Sequence, residues 1–306
     1  MPVVLEVTEM RIFSRCPRIL TLGGAALLAV VSIGGATSAE ELTGTLKKVS
    51  ETGSITLGYR EASAPFSFLD ENKRPTGYAI ELCLKIVDEV KTALGRPDVA
   101  VKYAPVTPKT RISMVVDGNV DLECGTTTNT LARQQQVDFS PIYFTTGTRL
   151  LTWKASKVSE IENLSGKMIA VVGGSTNEKA VRGLIDKGQL SGVQLLVMND
   201  YAQGIAALET KKVDAFATDD IVLYGLLAKS DKKQDLEVVG RYLSYDPYGI
   251  MLRRDDSAFR LVVNRALARV FRSGEILGIY ARWFDPISVP ISGTLKAAFE
   301  LQAIPE

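Results

Sequence analysis

The chain has 306 residues, 46% of them hydrophobic and 23% charged, with 36 lysines and arginines against 35 aspartates and glutamates and no histidine. This is globular composition with room for two domains of average size; it excludes the disordered and collagen-like classes, and a charge balance this even favours neither nucleic acid nor an anionic membrane as partner. Without imidazole, and with three cysteines, a zinc site is strongly disfavoured and every nucleophilic triad that relies on a histidine base is removed.

The N-terminus differs in kind from the rest. From Met10, RIFSRCPR carries three arginines, ILTLGGAALLAVVSIGG is an apolar run of small and aliphatic residues, and ATSA precedes two glutamates. That is the layout of a secretory signal with Ala39 as the last residue removed, the first nine residues being an upstream start. The run is short and glycine-interrupted for a membrane-spanning helix, and Cys16 lies before it rather than at a cleavage site. Removal of residues 1–39 takes away Arg11, Arg15 and Arg18 with Glu6 and Glu9 and leaves acids and bases in balance. Export places the two remaining cysteines, Cys83 and Cys124, where pairing is permitted; a bridge would stabilise by about 3–4 kcal/mol, and two buried free thiols are the other open reading.

From residue 53 strands and helices alternate. GSITLGYR (53–60) alternates as a strand and ends in a cation; GYAIELCLKIVDEVKTALG (77–95) has Cys83, Ile86, Val87, Val90 and Leu94 at helical spacing and stops at Gly95. VAVKYAPV is a strand, TRISMVVDG a short helix closed by glycine, and VDLECG another strand. A second run follows TRLLTWK (148–154): strands at GKMIAVVGGS, VQLLVM and VDAFATD, helices at TNEKAVRGLIDKG, YAQGIAALETKK and DIVLYGLLAK. LEVVGRYL and YGIMLRRD are extended, SAFRLVVNRALARVFRSG and EILGIYARWFD close the pattern as helices, and the proline-containing tail from Pro286 is expected to be a surface extension. The alternation predicts an α/β fold with parallel sheets covered by helices on both faces. Extended segments on either side of the second run predict a double crossing between two lobes, which is a hinge. The expected boundaries are a signal peptide at 1–39, a first lobe at 40–146, a second lobe at 147–246, and a return to the first lobe with the tail at 247–306.

In open α/β sheets ligands bind beyond the carboxyl ends of strands. Arg60 follows the first strand; Gly125, Thr126, Thr127 and Thr128 follow VDLEC, with Arg133 further on; Gly173, Gly174, Ser175 and Thr176 follow MIAVV; Asp219 ends VDAFATD; and Arg111 opens a helix near a strand end. Each has a plain structural explanation. Ser175-x-x-Glu178 is a capping box, the threonines could cap the next helix, Asp219 could cap DIVLYGLLAK, and single arginines are usually solvated. GGST lacks the spacing of a nucleotide loop. Taken as a set, cations, hydroxyls and helix N-termini favour an anion, whereas Asp219 favours a cation. A zwitterion with one further negative group, an acidic amino acid, uses all of them.

The segments YREASAPFSFLD, GYAIELC, VDLECGTTTNTLARQQQVDFSPIYF, GTRLLT, GGSTNE, VDAFATDD and YGIMLRRDD resemble, in order and over about residues 45–285, the periplasmic amino-acid-binding proteins of ABC importers, family 3, and most of all their glutamate/aspartate-binding branch. The resemblance implies a two-lobe type II clamshell with two hinge strands. It also implies a monomeric, exported protein without catalytic activity, metal or cofactor, delivering its ligand to a membrane permease driven by a separate ATPase. It gives Arg133, Thr126 and Thr128 the ligand α-carboxylate, Thr176 a hydroxyl contact from the second lobe, Asp219 the α-ammonium, and Arg60 and Arg111 the side-chain carboxylate. Two positions depart from that branch: Tyr201 stands near an expected histidine and Pro108 near an expected serine, which leaves the choice among glutamate, aspartate, glutamine and asparagine open. The competing expectations are an exported enzyme resembling cyclohexadienyl dehydratase, with Asp219 or Glu123 as general acid or base, and a ligand-sensing module acting through a partner chain.

Overall fold

The computed structural model describes residues 41–306, and the predicted export segment lies outside the described residues. The first lobe runs α1 (Gly44–Thr52), β1 (Ser54–Tyr59), a small ribbon of β2 (Ala62–Ser63), β3 (Ser67–Leu69) and β4 (Pro75–Thr76), α2 (Tyr78–Leu94), β5 (Ala100–Pro105), α3 (Arg111–Val116), β6 (Leu122–Glu123), α4 (Leu131–Gln134) and β7 (Val137–Thr146). The second runs β8 (Thr148–Trp153), β9 (Met168–Val172), α5 (Thr176–Asp186), β10 (Gln194–Met198), α6 (Tyr201–Glu209), β11 (Ala215–Asp219), α7 (Asp220–Lys229) and β12 (Leu236–Val239). The chain then returns through β13 (Asp246–Arg253) to α8 (Ser257–Arg272), α9 (Glu275–Phe284) and α10 (Gly293–Leu301).

Local sequence accounts for most of these elements. In α2 the side chains of Ile80, Cys83, Ile86, Val87 and Val90 recur at helical spacing and are buried, and Gly95 ends the helix in the left-handed conformation with φ 61°. The continuous apolar run of β9, from Ile169 to Val172, is wholly buried, as befits a strand covered on both faces.

The two five-stranded sheets have the orders β5-β1-β6-β13-β7 and β10-β9-β11-β8-β12. They are mixed rather than parallel, which corrects the expectation from the sequence. In the first sheet β1 is parallel to β5 and β6, while β13 is antiparallel to β6 and β7; in the second, β9 is parallel to β10 and β11, while β8 is antiparallel to β11 and β12. One strand in each sheet therefore runs against its four companions, and in each case it is the strand that enters the lobe from the other one. A strand arriving at the shared edge must run away from it, whereas the others run toward it.

The crossings lie side by side. Thr148 N–H donates to Ser244 Oγ at 3.0 Å and Leu243 N–H to the Thr148 carbonyl at 2.9 Å. Between β7 and β8, a Cβ on Gly147 would stand 2.1 Å from the Ser244 carbonyl oxygen, so glycine is what lets the two segments touch. The ring of Phe66 meets Tyr78, Phe144, Tyr248 and Phe284 edge to face and ties the ribbon to β7 and β13 at this junction. Among the described residues no helix is long and apolar enough to cross a membrane.

The tail is the second correction. It forms α10, which buries Leu295 and Phe299, stacks Phe299 on Phe271 at 5.0 Å, and uses Gln302 to bond both the N–H and the carbonyl of Ile142 on β7. The helix thus covers the open edge of the first sheet, which would otherwise offer unpaired backbone groups.

Cys83 of α2 and Cys124 beyond β6 are joined in a disulfide across 41 residues. It fastens the start of the threonine run to the core of the first lobe. Replacing both cysteines with alanine is expected to lower stability by about 3–4 kcal/mol, read from urea unfolding of oxidised wild type and the double variant; coincident midpoints would deny the bridge that role.

Candidate ligand-binding cleft

Because the strands that end at the shared edge all point toward it, the residues that follow β1, β6, β9 and β11 meet between the lobes. On the first-lobe side Arg60 and Arg111 are each 2% exposed and Arg133 is 8% exposed. Guanidinium groups so removed from water need acceptors. The threonine run supplies them: Arg111 Nη1 donates to the Thr126 carbonyl at 3.0 Å and to Thr127 Oγ1 at 2.6 Å, and Arg133 Nη1 donates to the Thr128 carbonyl at 2.8 Å. Thr127 Oγ1 in turn donates a hydrogen bond to Glu123 Oε2. Burial lowers the pKa of Arg133 to about 10, with Arg111 pushing the same way and Glu123 and Asp246 opposing. Burial also lowers that of Arg60. Arg60 Nη1, Arg111 Nε and Glu123 Oε1 are buried without a hydrogen-bond partner.

The threonines do not cap the following helix. Thr130 does, its hydroxyl accepting from Arg133 N–H at 3.2 Å, which leaves Thr126 and Thr128 free to face the second lobe. Thr126 Oγ1 lies 3.2 Å from the Tyr201 hydroxyl, and Thr128 Oγ1 lies 3.1 Å from Thr176 Oγ1 while donating to Asp246 Oδ1 at 2.9 Å. Arg133 Nη2 reaches the Gly174 carbonyl at 3.4 Å, and the Arg60 guanidinium sits 5.0 Å from the centre of the Tyr201 ring. Apart from the Thr128–Asp246 bond, which stays within the first lobe, these contacts run between the lobes and shut the cleft.

On the second-lobe side Ser175 caps α5 through Glu178 N–H at 3.0 Å, but Glu178 reaches back to Gly174 N–H rather than to that of Ser175, so the expected capping box is half formed. Asp219 stands at the start of α7 and makes no cap. Its carboxylate, 2% exposed, accepts instead from Asn177 Nδ2 at 2.8 Å and from the Tyr248 hydroxyl of the first lobe. Burial raises the Asp219 pKa to about 7, helped by the negative Asp246 and opposed by the bonds from Tyr248 and Asn177.

All seven residues singled out in the sequence therefore gather here: Arg60, Arg111, Thr126, Thr128 and Arg133 from one lobe, Thr176 and Asp219 from the other. Thr127 stands in the same run but carries no ligand role in that reading, and Asn177, Asp246 and Tyr248 are absent from it. Asp246 and Tyr248 had a signal, since residues two apart on a strand share a face, but the hinge strand was read as connection only. Gly125 has a steric role. A Cβ there would lie 2.3 Å from Glu123 Oε1 and 3.0 Å from Arg60 Cγ, so the glycine makes room for those two side chains. Among the described residues no group of three or more histidine, cysteine, aspartate or glutamate side chains is placed to hold a metal ion.

Comparison with known proteins gives the following. The model of bacterial extracellular solute-binding proteins, family 3, matches residues 55–286. The L-glutamate/L-aspartate-binding protein of Pseudomonas aeruginosa is 43% identical over 267 residues, covering 84% of this chain and 88% of that protein. The glutamate/aspartate import solute-binding protein of Escherichia coli K12 is 34% identical over 287 residues, covering 90% and 95%. Among solved structures, an ancestral arginine-binding protein bound to glutamine superposes with a TM-score of 0.68 at 29% identity, covering 76% of this chain and 98% of that one.

The raised pKa of Asp219 fixes the sign of a pH effect. A carboxyl that holds its proton to about 7 when folded and to about 4 when unfolded stabilises the fold fully at low pH, and loses that contribution as pH rises through the folded value. Ligand-free protein should therefore lose melting temperature between about pH 4 and 7 on account of this group, and Asp219→Asn should flatten that slope. An identical slope in the two proteins would place the titration elsewhere.

Proposed function

Since the chain belongs to the bacterial extracellular solute-binding proteins of family 3, we propose that it captures an acidic amino acid, glutamate or aspartate, outside the cytoplasm and presents it to the permease of an ABC importer whose ATPase supplies the energy. The observation that carries the ligand class is the pair of buried guanidinium donors without partners, Arg60 Nη1 and Arg111 Nε, in a cleft that also holds Arg133 and Asp219. A buried cation left half-satisfied favours a guest carboxylate strongly, and a bidentate partner most of all. A lysine or arginine side chain brought to the same place would meet two like charges with no water to separate them.

In this reading the ligand docks first on the larger first-lobe wall. Arg133, with Thr126 and Thr128, takes the α-carboxylate, and Arg60 and Arg111 take the side-chain carboxylate. The second lobe then brings Thr176 to the first carboxylate and Asp219 to the ammonium. Closure follows because only the shut form makes both sets of contacts, so the ligand's binding energy is larger there than in an open form. Two hinge strands let the lobes move as bodies about the Gly147 and Ser244 region. The segment over residues 1–39 directs export to the periplasm. The relatives named above are binding proteins rather than enzymes, and Asp219 fits that role, since its oxygens are already engaged by Asn177 and Tyr248.

Calorimetric titration of the purified protein with the twenty amino acids tests this. Glutamate or aspartate should bind and lysine should not. Arg133→Ala should abolish binding of every amino acid, whereas Arg60→Ala should weaken the acidic ligands by about tenfold to a hundredfold and affect neutral ones far less. Equal glutamate affinity in wild type and Arg60→Ala would defeat the assignment of the side-chain end.

A further inference from the structure

Glu123 is a buried charge that ligand capture, as described above, does not use. It ends β6, paired with Gly58 of β1 on one side and Met251 of β13 on the other, and is 0% exposed. One oxygen is bonded to Thr127 Oγ1, which in turn accepts from Arg111. The other, without a hydrogen-bond partner, shares with the stem of Arg60 the small space that Gly125 leaves open. The carboxylate is thus linked to the Arg111 guanidinium through Thr127 and stands beside the stem of Arg60, whose guanidinium feels its charge without bonding to it.

We infer that Glu123 sets how strongly the cleft prefers a carboxylate to an amide at the far end of its ligand, by cancelling one of the two guanidinium charges there. The inference rests on the reading that Arg60 and Arg111 face that end. Two guanidinium groups carry two positive charges; with Glu123 beside them the subsite has one in excess, the match for a single carboxylate. Charge interactions at this range are strong because the site is shielded from water. Glutamate and glutamine have nearly the same shape and differ at this end in charge, so the ratio of their dissociation constants reads the local excess. A residue that merely holds the strand end in place would alter both affinities together and leave the ratio still. The Thr127 bridge gives the carboxylate a fixed position, and so a defined share in the field of both arginines.

The test is that ratio, measured by calorimetry for wild type, Glu123→Gln, Glu123→Asp, Arg60→Gln and the double variant Arg60→Gln/Glu123→Gln. In Glu123→Gln the preference for glutamate over glutamine should rise by about tenfold or more, while Glu123→Asp, which keeps the charge, should stay within about threefold of wild type. Arg60→Gln should erase most of the preference, and the double variant, with the wild-type excess of charge restored, should recover it. These last two proteins carry the test should Glu123→Gln fail to fold. A Glu123→Gln ratio within about twofold of wild type, or a double variant no different from Arg60→Gln, overturns the inference. Wild-type protein that binds neither glutamate nor aspartate overturns the functional reading and this inference with it, whereas glutamate binding with an unmoved ratio overturns this inference alone.

Discussion

Three guanidinium groups are removed from water between two lobes, and the rest of the molecule is arranged around that cost. Arg60, Arg111 and Arg133 share this space with the carboxylates Glu123, Asp219 and Asp246, all buried as well. Charges of both signs in one closed space are tolerable only if each finds polar partners. Most of the partners come from one segment, residues 126–128, whose carbonyls accept from Arg111 and Arg133 and whose hydroxyls reach Glu123, Asp246, Tyr201 and Thr176. A threonine hydroxyl both accepts and donates, so Thr127 links the Arg111 cation to the Glu123 carboxylate while Thr126 and Thr128 join this wall to Tyr201, Thr176 and Asp246. That explains three threonines in succession better than helix capping does, and it explains why the capping task falls to Thr130. The disulfide immediately before the run and the helix α4 immediately after it hold the segment at both ends.

The same edge of the fold holds the hinge, and the two are joined through consecutive aspartates. Asp219 faces the cleft, while Asp220 accepts from Thr146 Oγ1 at 2.6 Å and from the Tyr242 hydroxyl at 2.6 Å, and its N–H bonds the Gly147 carbonyl at 3.0 Å. Asp246 at the return crossing is likewise shared, bonded by Thr128 of the cleft and Ser244 of the hinge. A change in what Asp219 or Thr128 touches is therefore one residue or one hydrogen bond away from the backbone that must turn when the lobes move. The antiparallel placement of β8 and β13 brings this about, since each begins at the hinge and its first residues lie beside the ends of the strands that bear the cleft residues.

Much of this was legible because chemistry and position coincided. Cations, hydroxyls and a carboxylate stood directly after apolar runs, and the ends of strands in α/β folds are where ligands bind, so Arg60, Thr126, Thr128, Thr176 and Asp219 could be gathered from the sequence alone. What stayed hidden depended on long-range pairing. The direction of β8 and β13 is set by which lobe each enters, and no local pattern states it. β7 contains Pro141 and was passed over as a strand, although as an edge strand it tolerates proline and is then covered by α10. In α10 the buried Leu295 and Phe299 are one helical turn apart, too short a pattern to outweigh the prolines before it. Asn177 was hidden for another reason: at a helix start an asparagine reads as polar surface, yet here it is 1% exposed and bonds both Thr148 Oγ1 and Asp219.

Tyr201 shows how a departure from the family pattern fits the same electrostatic constraint. The resemblance places a histidine near this position, where a ring would come from α6 over Arg60. An imidazole there carries a positive charge whenever it is protonated, and would then repel the guanidinium beneath it. A phenol does not. Its ring face attracts the Arg60 cation, and its hydroxyl sits at Thr126 as either donor or acceptor. The tyrosine thereby closes the second lobe onto the first with two contacts, one to Arg60 and one to Thr126. It also leaves the positive charge of the cleft to the arginines, where Glu123 balances part of it. Shape imposes a further demand where Pro108 stands: its carbonyl would lie 3.2 Å from a Cβ on Gly174, so the lobes meet there backbone to backbone, and glycine at 174 is what lets them.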